Sequence, residues 1–427
     1  MAQVTIAPGR LSGTVAAPPS KSAAHRGLIL AAMCPGASTL APVDLSDDVS
    51  ATLAGITALG ARCQRNKGEV RVVGAQLPPD TLPLVDCRES GSTLRFLLPA
   101  ALVLAGGAHF VGRGRLGQRP MKPYEDICRR QGIAYQTGQG GGLDLRVEGR
   151  LRAGEFVLPG DVSSQFVSGL LMALPRLPGD SLIRLTGKVE SLGYIRQTLQ
   201  AMRAFALEVE VRDDRTYVVP GGQRYRPADF PVEGDYSQAA VFLCAGALGS
   251  SLWVSGLADS SAQGDQAVLD HLMRMGAGVS RGPQGLRVLA GPLSGVEIDG
   301  SQCPDIVPIL ALVCALAQGE SRILGAARLR LKESDRLAAT CQELNRLGGR
   351  VRETQDGLII QGVDGLEGGV TCSCHGDHRI AMLLAVAALR ARRPVTLDGV
   401  ECLSKSYPGF LKDFQMLGGE VHGWHMG

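Results

Sequence analysis

The chain has 427 residues, of which 45% are hydrophobic and 20% are charged, and its formal net charge is +3. This length allows two or three domains with sizeable cores, and so small a basic excess is not the signature of a protein that binds nucleic acid or a membrane surface. The N-terminus MAQVTIAPGRLSGTV lacks the basic region and apolar run of a signal peptide. We therefore expect a cytoplasmic protein whose eleven cysteines are reduced thiols.

A very apolar helical segment recurs six times along the chain. In order, the copies are RGLILAAM, RFLLPAALVL, QFVSGLLMAL, AAVFLCAGAL, IVPILALVCAL and RIAMLLAVAAL. Five are followed by a strand-like piece, such as GASTLAPV or GDSLIRLTG, and then comes an amphipathic helix that ends near Leu-Gly. In the third copy, LQAMRAFALEV, an Ala stands where the others have Gly. An ordinary α/β protein with similar helices is the alternative, but the repeated order of elements favours six α/β repeats in two domains of three.

Small polar and basic residues precede the apolar helices, in PPSKSAAHR, ESGSTLR, GDVSSQ, GDYSQ, CPDI and CHGDHR. The N–H groups at a helix N-terminus attract anions, and Ser or Asp at this position also caps the helix. Capping alone would explain Ser163, Ser237 and Asp377. It does not explain the cations at the same place, which are Lys21, Arg26, Arg95 and Arg379. Because cations are disfavoured in a first helical turn, these residues predict an anionic ligand.

The second helix of several repeats is also preceded by basic residues. LRLKESDRL puts Lys332 and Arg336 at i,i+4 on one predicted helix face, with Glu333 three residues before Arg336. A solvated charged face would explain this segment taken alone. Further cations occupy related places in ECLSKSYPG and GRGRLGQRPMKP, namely Lys405, Arg113, Arg115, Arg119 and Lys122. Their repetition predicts a ligand with several negative charges, such as phosphates and carboxylates.

The segment TCSCHGDHR, residues 371–379, has the composition of a metal site. Structural zinc usually needs two separated ligand pairs, and no second pair is evident, so we favour no metal. We predict instead a strand GVTCSC, a turn capped and oriented by Asp377 and His378, and a helix with Arg379 as an anion ligand. The sequence also has no P-loop, HExxH or GxSxG motif, and the glycines of TGQGGGLD predict a hairpin.

Taken together, nine stretches resemble the EPSP synthase (3-phosphoshikimate 1-carboxyvinyltransferase) family, bacterial type. They are PPSKSAAHR, ESGSTLRFLLP, RLGQRP, VSSQF, ESLGY, PDIVP, LRLKESDRL, HGDHRIAM and SKSYPGF, in the order of the family. The resemblance implies an α/β fold, a two-domain inside-out αβ barrel with six βαβαββ-type repeats, three per domain. It places domain I in residues 1–19 and 233–427, domain II in 20–232, and the active site in the cleft between them.

The resemblance also implies a reaction. The enolpyruvyl group of phosphoenolpyruvate is transferred to the 5-hydroxyl of shikimate 3-phosphate by addition and elimination, with release of phosphate and without metal or organic cofactor. The pathway implied is the shikimate route to chorismate and the aromatic amino acids. The family is also the target of the inhibitor glyphosate, and we expect a monomer.

The site residues follow from the matching motifs. The implied shikimate 3-phosphate ligands are Lys21, Ser22, Arg26, Ser163, Ser164, Gln165, Ser191, Asp305 and Lys332, with Tyr194 as a further candidate. The implied phosphoenolpyruvate ligands are Lys21, Gly91, Arg115, Gln165, Arg336, Arg379 and Lys405. The implied catalytic residues are Asp305 as the base for the 5-hydroxyl, Glu333 as the proton donor to the methylene carbon, and Lys21.

Some positions depart from the family pattern, and two other functions stay open. The roles of His25, Glu89, Ser90 and Arg328 are not assigned by the resemblance. The related UDP-N-acetylglucosamine enolpyruvyl transferase should carry Lys-Asn at 21–22 and a cysteine in the basic loop, and this chain has neither. A non-catalytic polyanion-binding scaffold would have little use for Asp305 and Glu333, because carboxylates weaken anion binding.

Overall fold

In the computed structural model, residues 2–75 and 79–423 are described, and the chain divides into two units. Unit 1 consists of Met1–Pro18 and Gly234–Gly427, and unit 2 consists of Pro19–Glu233. The α-helices are α1 Lys21–Ala32, α2 Asp47–Ala58, α3 Gly91–Leu104, α4 Lys122–Gln131, α5 Ser164–Ala173, α6 Leu192–Ala204, α7 Tyr236–Ala247, α8 Val268–Met275, α9 Val307–Ala315, α10 Arg336–Arg346, α11 His378–Leu389 and α12 Phe410–Met416. No helix in these two ranges is long and apolar enough to cross a membrane.

The strands are short, and each lies in one of several small sheets. They are β1 Gln3–Ile6, β2 Ser12–Ala16, β3 Ala37–Ala41, β4 Arg62–Asn66, β5 Glu69–Val73, β6 Leu84–Asp86, β7 Gly107–Gly112, β8 Ala134–Thr137, β9 Leu143–Glu148, β10 Glu155–Pro159, β11 Ser181–Thr186, β12 Glu210–Asp213, β13 Thr216–Val219, β14 Asp229–Pro231, β15 Ser251–Ser255, β16 Gly278–Gly282, β17 Gly285–Leu289, β18 Glu297–Asp299, β19 Glu320–Leu324, β20 Arg350–Glu353, β21 Leu358–Gln361, β22 Leu366–Gly368, β23 Thr371–Ser373, β24 Ala391–Arg393, β25 Val395–Asp398 and β26 Val421–His422.

The three four-stranded sheets of unit 2 share one strand order. They run β14-β3-β5-β4, β6-β7-β9-β8 and β10-β11-β13-β12, and in each the first pair is parallel and the other pairs are antiparallel. One helix connects the parallel pair and a second helix leads to the final hairpin, so two of the sheets are continuous βαβαββ repeats. The first repeat takes β14 from the far end of the unit. The hairpin predicted at TGQGGGLD joins β8 to β9 and is confirmed.

Unit 1 repeats the same pattern. Its sheets run β2-β15-β17-β16, β18-β19-β21-β20 and β23-β25-β1-β26, with β22 and β24 as an additional parallel pair. The predicted count of six βαβαββ repeats, three per unit, is therefore confirmed. The described strands form separate sheets and do not close into one hydrogen-bonded barrel. The inside-out arrangement lies instead in the helices, because α1, α3 and α5 contact one another in unit 2 and α7, α9 and α11 do so in unit 1.

Burial explains why the six inner helices have no polar face. Every residue of α7, α9 and α11 is buried, so a helix surrounded by other elements on all sides must be apolar throughout. The outer strands alternate between buried and exposed residues, as in Leu143–Glu148 of β9. The polar residues that precede the inner helices are therefore concentrated at the N-terminal end of each helix bundle, and this end is the face that concerns function.

The third repeat has an Ala where other repeats have Gly after the second helix, and the structure shows that this Ala has a backbone conformation that favours glycine. Ala206 follows α6 with φ +59°, and Gly60, Gly276, Gly348 and Gly418 follow the corresponding helices with φ between +94° and +108°. A left-handed backbone costs a residue with a Cβ atom about 1–2 kcal/mol. A left-handed residue therefore ends the second helix in these repeats, and the third repeat keeps this conformation at Ala206 despite the strain.

We predict that Ala206→Gly raises the free energy of unfolding by about 0.5–1 kcal/mol, since relief of the strain outweighs the extra chain entropy of glycine. Ala204→Gly, in the last turn of the same helix and also exposed, is the matched control and should lower it by a similar amount. Chemical denaturation of both variants measures the two effects. A lower stability for Ala206→Gly would contradict the interpretation.

Candidate active site

Arg336 is the centre of the polar face of unit 1. It begins α10, its side chain is 2% exposed, and its guanidinium contacts three carboxylates. Nε lies 2.8 Å from Asp377 Oδ2, Nη1 lies 2.8 Å from Asp305 Oδ1, and Nη2 lies 2.8 Å from Glu333 Oε2. Although burial alone would lower it, the pKa of Arg336 is raised by Asp377, Glu333 and Asp305. The guanidinium is therefore permanently charged and fixes the positions of three acids.

Asp377 is the buried member of this group. Its side chain is fully buried, accepts hydrogen bonds from Arg336 and from Ser334 Oγ at 3.0 Å, and caps α11 by accepting from the Arg379 N–H at 2.9 Å. A buried carboxylate is stable only when it is paired and hydrogen-bonded, and these donors supply both conditions. The cap predicted at Asp377 is confirmed, and the same side chain also orients Arg336.

Asp305 and Glu333 are the less buried acids, with side chains 21% and 12% exposed. Asp305 lies in a 3-10 turn before α9, 3.4 Å from Lys332 Nζ and 3.7 Å from Arg379 Nη2. Burial, against the attraction of Asp305, lowers the pKa of Lys332. Unit 1 thus brings together two partly accessible carboxylates and three cations, an arrangement suited to proton transfer next to an anionic ligand.

Arg379 is fixed from a neighbouring helix rather than from its own. It lies in the first turn of α11 and donates to Ser237 O at 2.7 Å and to Ser237 Oγ at 2.6 Å, in the first turn of α7. Ser237 in turn contacts Asp235, which is the N-cap of α7. Capping was one explanation for Ser237 in the sequence, and that explanation is wrong, because Asp235 caps the helix and Ser237 holds the arginine.

The turn within TCSCHGDHR is held by contacts to other parts of the protein. Cys372 and Cys374 are fully buried, and His375 Nε2 lies 2.8 Å from Oε1 of the buried Glu343. Lys405 Nζ donates to the carbonyl of Gly376 at 2.8 Å, so this predicted ligand lies beside the turn. Across residues 2–75 and 79–423, no group of three or more His, Cys, Asp or Glu side chains is placed to hold a metal ion.

The prediction that Lys332 and Arg336 share a helix face is wrong. The helix begins at Arg336, and Lys332 lies before it in an extended conformation, after the 3-10 turn Ala327–Leu331. Asp335 caps the helix, accepting from the Ala338 N–H at 3.0 Å. The two cations are therefore not stacked at i,i+4, and Asp305 lies between them as a shared partner.

In unit 2, Lys21 begins α1 and is fixed by an ion pair with the next helix. Its Nζ lies 2.7 Å from Asp48 Oδ2, and the two side chains are 16% and 11% exposed. Ser20 caps the helix by accepting from the Ala23 N–H. Lys21 and Ser22 thus lie in the first turn of α1, and their assignment to substrate stays a prediction.

Arg26 has a structural role that the sequence did not indicate. Its side chain donates to Thr198 Oγ1 at 2.7 Å and to the carbonyls of Ser22 and Tyr194 at 2.8 and 2.9 Å. It also lies 5.1 Å from the ring centroid of Phe96, and burial lowers its pKa to about 10. These contacts join α1 to α6. The assignment of Arg26 to substrate stays a prediction, since a guanidinium has five N–H groups and can serve protein and ligand together.

A second group of unit 2 surrounds Gly91, the first residue of α3. Arg95 Nη1 donates to Gln165 Oε1 at 2.8 Å, and Gln165 Nε2 donates to Ser92 Oγ at 2.9 Å. A Cβ added at Gly91 would lie 2.8 Å from Nη1 of the buried Arg119. The sequence pointed to Arg115 in this loop, but the structure puts Arg119 beside Gly91. Arg115 lies within the 3-10 turn Gly114–Gln118 and Arg119 is the residue that follows it, and nothing in the sequence shows which of the two lies beside Gly91.

Three predicted serine ligands lie at the starts of α5 and α6. Ser163 caps α5 by accepting from the Gln165 N–H, and Ser164 is the first residue of that helix. Ser191, before α6, is 2% exposed and has φ +54°, a conformation that is uncommon for a residue with a side chain. Such backbone strain occurs often at functional sites, which is consistent with a ligand role for Ser191.

The chain matches known proteins over nearly its whole length. A family model described as EPSP synthase (3-phosphoshikimate 1-carboxyvinyltransferase) matches residues 6–414. The 3-phosphoshikimate 1-carboxyvinyltransferase of Clostridium beijerinckii is 46% identical, and that of Clostridioides difficile is 43% identical, each over the whole of both chains. A solved EPSP synthase from Acinetobacter baumannii is 25% identical with a TM-score of 0.80, covering 99% of this chain and 100% of that one.

The enolpyruvyl transferase NikO from Streptomyces tendae, at 21% identity, has the same fold, with a TM-score of 0.80 over 99% of this chain and 98% of that one. The family match and the full-length relatives define the chain as an α/β transferase of the enolpyruvyl type. Within that class, the chain belongs to the EPSP synthase family, the 3-phosphoshikimate 1-carboxyvinyltransferases.

We predict that acid weakens the fold through two buried histidines. Burial lowers the pKa of His25 and of His271 below 6.5, so below that pH the unfolded chain binds protons that the folded chain excludes. The free energy of unfolding should fall below pH 6.5 by up to about 1.4 kcal/mol per pH unit for each histidine. His25→Asn should remove the contribution of one histidine, up to about 1.4 kcal/mol per pH unit, from the pH dependence of the free energy of unfolding. Denaturant titrations from pH 7.5 to 5 measure this slope. An unchanged slope would contradict the prediction.

Proposed function

We propose that this chain transfers the enolpyruvyl group of phosphoenolpyruvate to the 5-hydroxyl of shikimate 3-phosphate and releases phosphate. The observation that carries the proposal is the placement of Asp305 and Glu333 on one guanidinium, that of Arg336, beside Lys332. A scaffold that only binds anions gains nothing from carboxylates at this place. Carboxylates here are useful to a reaction that needs both a proton acceptor and a proton donor next to anionic substrates.

In the addition step, Asp305 accepts the proton of the 5-hydroxyl as its oxygen attacks C2 of phosphoenolpyruvate, and Glu333 donates a proton to the methylene carbon. The product is a tetrahedral intermediate that still carries the phosphate. In the elimination step, the Glu333 carboxylate takes a proton back from the new methyl group as the C–O bond to phosphate breaks, and phosphate leaves with the bonding electrons, which gives the enolpyruvyl ether. Arg336 contacts both acids at 2.8 Å and so keeps them available for these transfers.

The cations bind the substrates and stabilise the charge that develops between them. From unit 1 we assign Arg336, Arg379 and Lys405 to phosphoenolpyruvate and Lys332 to shikimate 3-phosphate. From unit 2 we assign Lys21 to both substrates, Gly91 and Gln165 to phosphoenolpyruvate, and the serines before α5 and α6 to the phosphate of shikimate 3-phosphate. Arg119, beside Gly91, is added to the phosphoenolpyruvate set, and Arg115 is kept as a candidate.

We further propose a cytoplasmic monomer that works without metal or organic cofactor. The eleven cysteines are free thiols, which supports a reducing compartment. The chemistry needs an acid, a base and fixed positive charge, and the residues above supply these.

The direct test is phosphate release from phosphoenolpyruvate. We expect release with shikimate 3-phosphate and none with UDP-N-acetylglucosamine or with phosphoenolpyruvate alone. Release with the UDP-sugar would favour the alternative transferase of the same fold. Binding of both proposed substrates without any release would favour a non-catalytic scaffold.

The acid and base are tested separately by Asp305→Asn and Glu333→Gln, which remove charge while keeping shape. Each should lower kcat by about 10²–10⁴-fold, the usual contribution of a general acid or base. Binding of shikimate 3-phosphate should survive, because the serines and Lys21 of unit 2 are untouched. If either variant kept more than about a tenth of wild-type turnover, the role of that residue would be wrong.

Gly91→Ala tests the phosphoenolpyruvate assignment. Gly91 does not have a positive φ, so alanine should not strain the backbone, and the thermal midpoint should hold. The new methyl group would instead displace Arg119. We expect a higher KM for phosphoenolpyruvate, a larger rise in the glyphosate inhibition constant, and little change for shikimate 3-phosphate. Equal weakening of both substrates, with a lower thermal midpoint, would assign Gly91 to the fold alone.

A further inference from the structure

Three helices of unit 2 are joined by a buried chain of hydrogen bonds that the proposed reaction does not use. His25 Nδ1 of α1 lies 2.7 Å from Thr52 Oγ1 of α2, which lies 2.8 Å from Thr93 Oγ1 of α3. Thr93 Oγ1 donates to Ser90 Oγ at 2.8 Å. All four side chains are at most 1% exposed. We call His25, Thr52, Thr93 and Ser90 the buried polar chain.

The buried polar chain runs parallel to the ion pair that holds Lys21. Lys21 pairs with Asp48, and one helical turn further His25 pairs with Thr52, so both contacts link α1 to α2 at the same separation of 27 residues. Two contacts one turn apart fix the rotation of α1 as well as its distance from α2. Thr93 Oγ1 also lies 3.4 Å from the carbonyl of Asp48, which ties α3 to the residue that holds Lys21.

Proton counting gives the buried polar chain a direction. Each threonine hydroxyl has one proton, and both acceptors of the Thr93 proton, Ser90 Oγ at 2.8 Å and the Asp48 carbonyl at 3.4 Å, lie away from Thr52. Thr52 must then donate to Thr93, so Thr52 accepts from His25. His25 therefore carries a proton on Nδ1, and in the part of the chain that the structure describes its buried Nε2 has no hydrogen-bond partner that would stabilise a second proton. Burial, Lys21 and Arg26 lower the pKa of His25, which preserves the neutral form.

We propose that His25 and Thr52 are positioning residues for phosphoenolpyruvate. Through the buried polar chain they fix the distance and orientation between two helix starts. These are the first turn of α1, which carries Lys21, and the first turn of α3, which carries Gly91, and both are to contact phosphoenolpyruvate. This inference rests on the proposed function, because Lys21 and Gly91 are assigned to phosphoenolpyruvate there.

The position and chemistry of the chain favour this role over packing alone. Ser90 is the N-cap of α3 and directly precedes Gly91, and Lys21 lies one turn before His25 on the same helix. Apolar residues would fill the space between these helices at less cost, since buried hydroxyls stabilise only when every one is satisfied. A continuous directional chain ending at a helix N-terminus fixes geometry more narrowly than apolar packing does.

Thr52→Val tests the proposal, with Thr52→Ser as the matched control that keeps the hydroxyl. We expect Thr52→Val to lower kcat/KM for phosphoenolpyruvate about tenfold or more, since small misplacements of binding groups are costly. Thr52→Ser should stay within about twofold of wild type. Ser38→Ala, which removes a buried hydroxyl bonded to the Ala228 N–H elsewhere in unit 2, should lower the melting temperature without this kinetic effect. Kinetics well below each melting temperature separate misplacement from unfolding.

A second measurement stands if Thr52→Val does not fold. Nitrogen NMR shifts of the His25 ring in the wild-type protein should report the Nδ1–H tautomer, with and without substrates. An Nε2–H tautomer, or Thr52→Val with wild-type kcat/KM and only a lower melting temperature, would overturn the positioning role. A wild-type protein that releases no phosphate would instead overturn the proposed function, so the two failures are distinguishable.

Discussion

The polar face of unit 1 depends on one buried ion pair, that of Arg336 with Asp377. A charge removed from water must be matched by an opposite charge and by hydrogen bonds, and both side chains are at most 2% exposed. Because the other N–H groups of the buried guanidinium also need acceptors, its remaining two nitrogens donate to Asp305 and Glu333. Because Asp377 caps α11, the same pair also fixes the helix start that carries Arg379. Acid, base and cations are thus arranged by a single electrostatic requirement.

The repeated fold explains why such residues collect at one end of each unit. Each inner helix is buried along its length, so its N-terminal turn is where polar side chains can meet a ligand. In unit 2 this turn carries Lys21, Gly91 and the serines before α5. In unit 1 it carries Arg379 and is flanked by Asp305. The symmetry sets the place, and substitutions among the copies give each helix start a different chemistry.

The sequence predicted features that depend on local pattern. The six repeats, the hairpin at TGQGGGLD and the cap at Asp377 all follow from periodicity and helix-end chemistry. The prediction of a shared helix face for Lys332 and Arg336 failed on a local signal, because the neighbouring Asp335 is the N-cap that starts the helix at Arg336. The other predictions failed where contacts between distant segments decide. Arg119 was not separated from Arg115, since only the packed loop brings one to Gly91. Ser237 was taken for a cap because its bond to Arg379 spans 142 residues.

The most direct test of the central role of the buried ion pair is Asp377→Asn, which keeps the shape and removes the charge. We predict that the free energy of unfolding of unit 1 falls by about 3 kcal/mol, because Arg336 loses its one fully buried partner and keeps only the two partly exposed acids. We also predict that kcat falls at least about tenfold, because Asp305 and Glu333 lose their fixed support. Chemical denaturation and steady-state kinetics on the same variant measure both. Wild-type stability together with wild-type turnover would contradict the account.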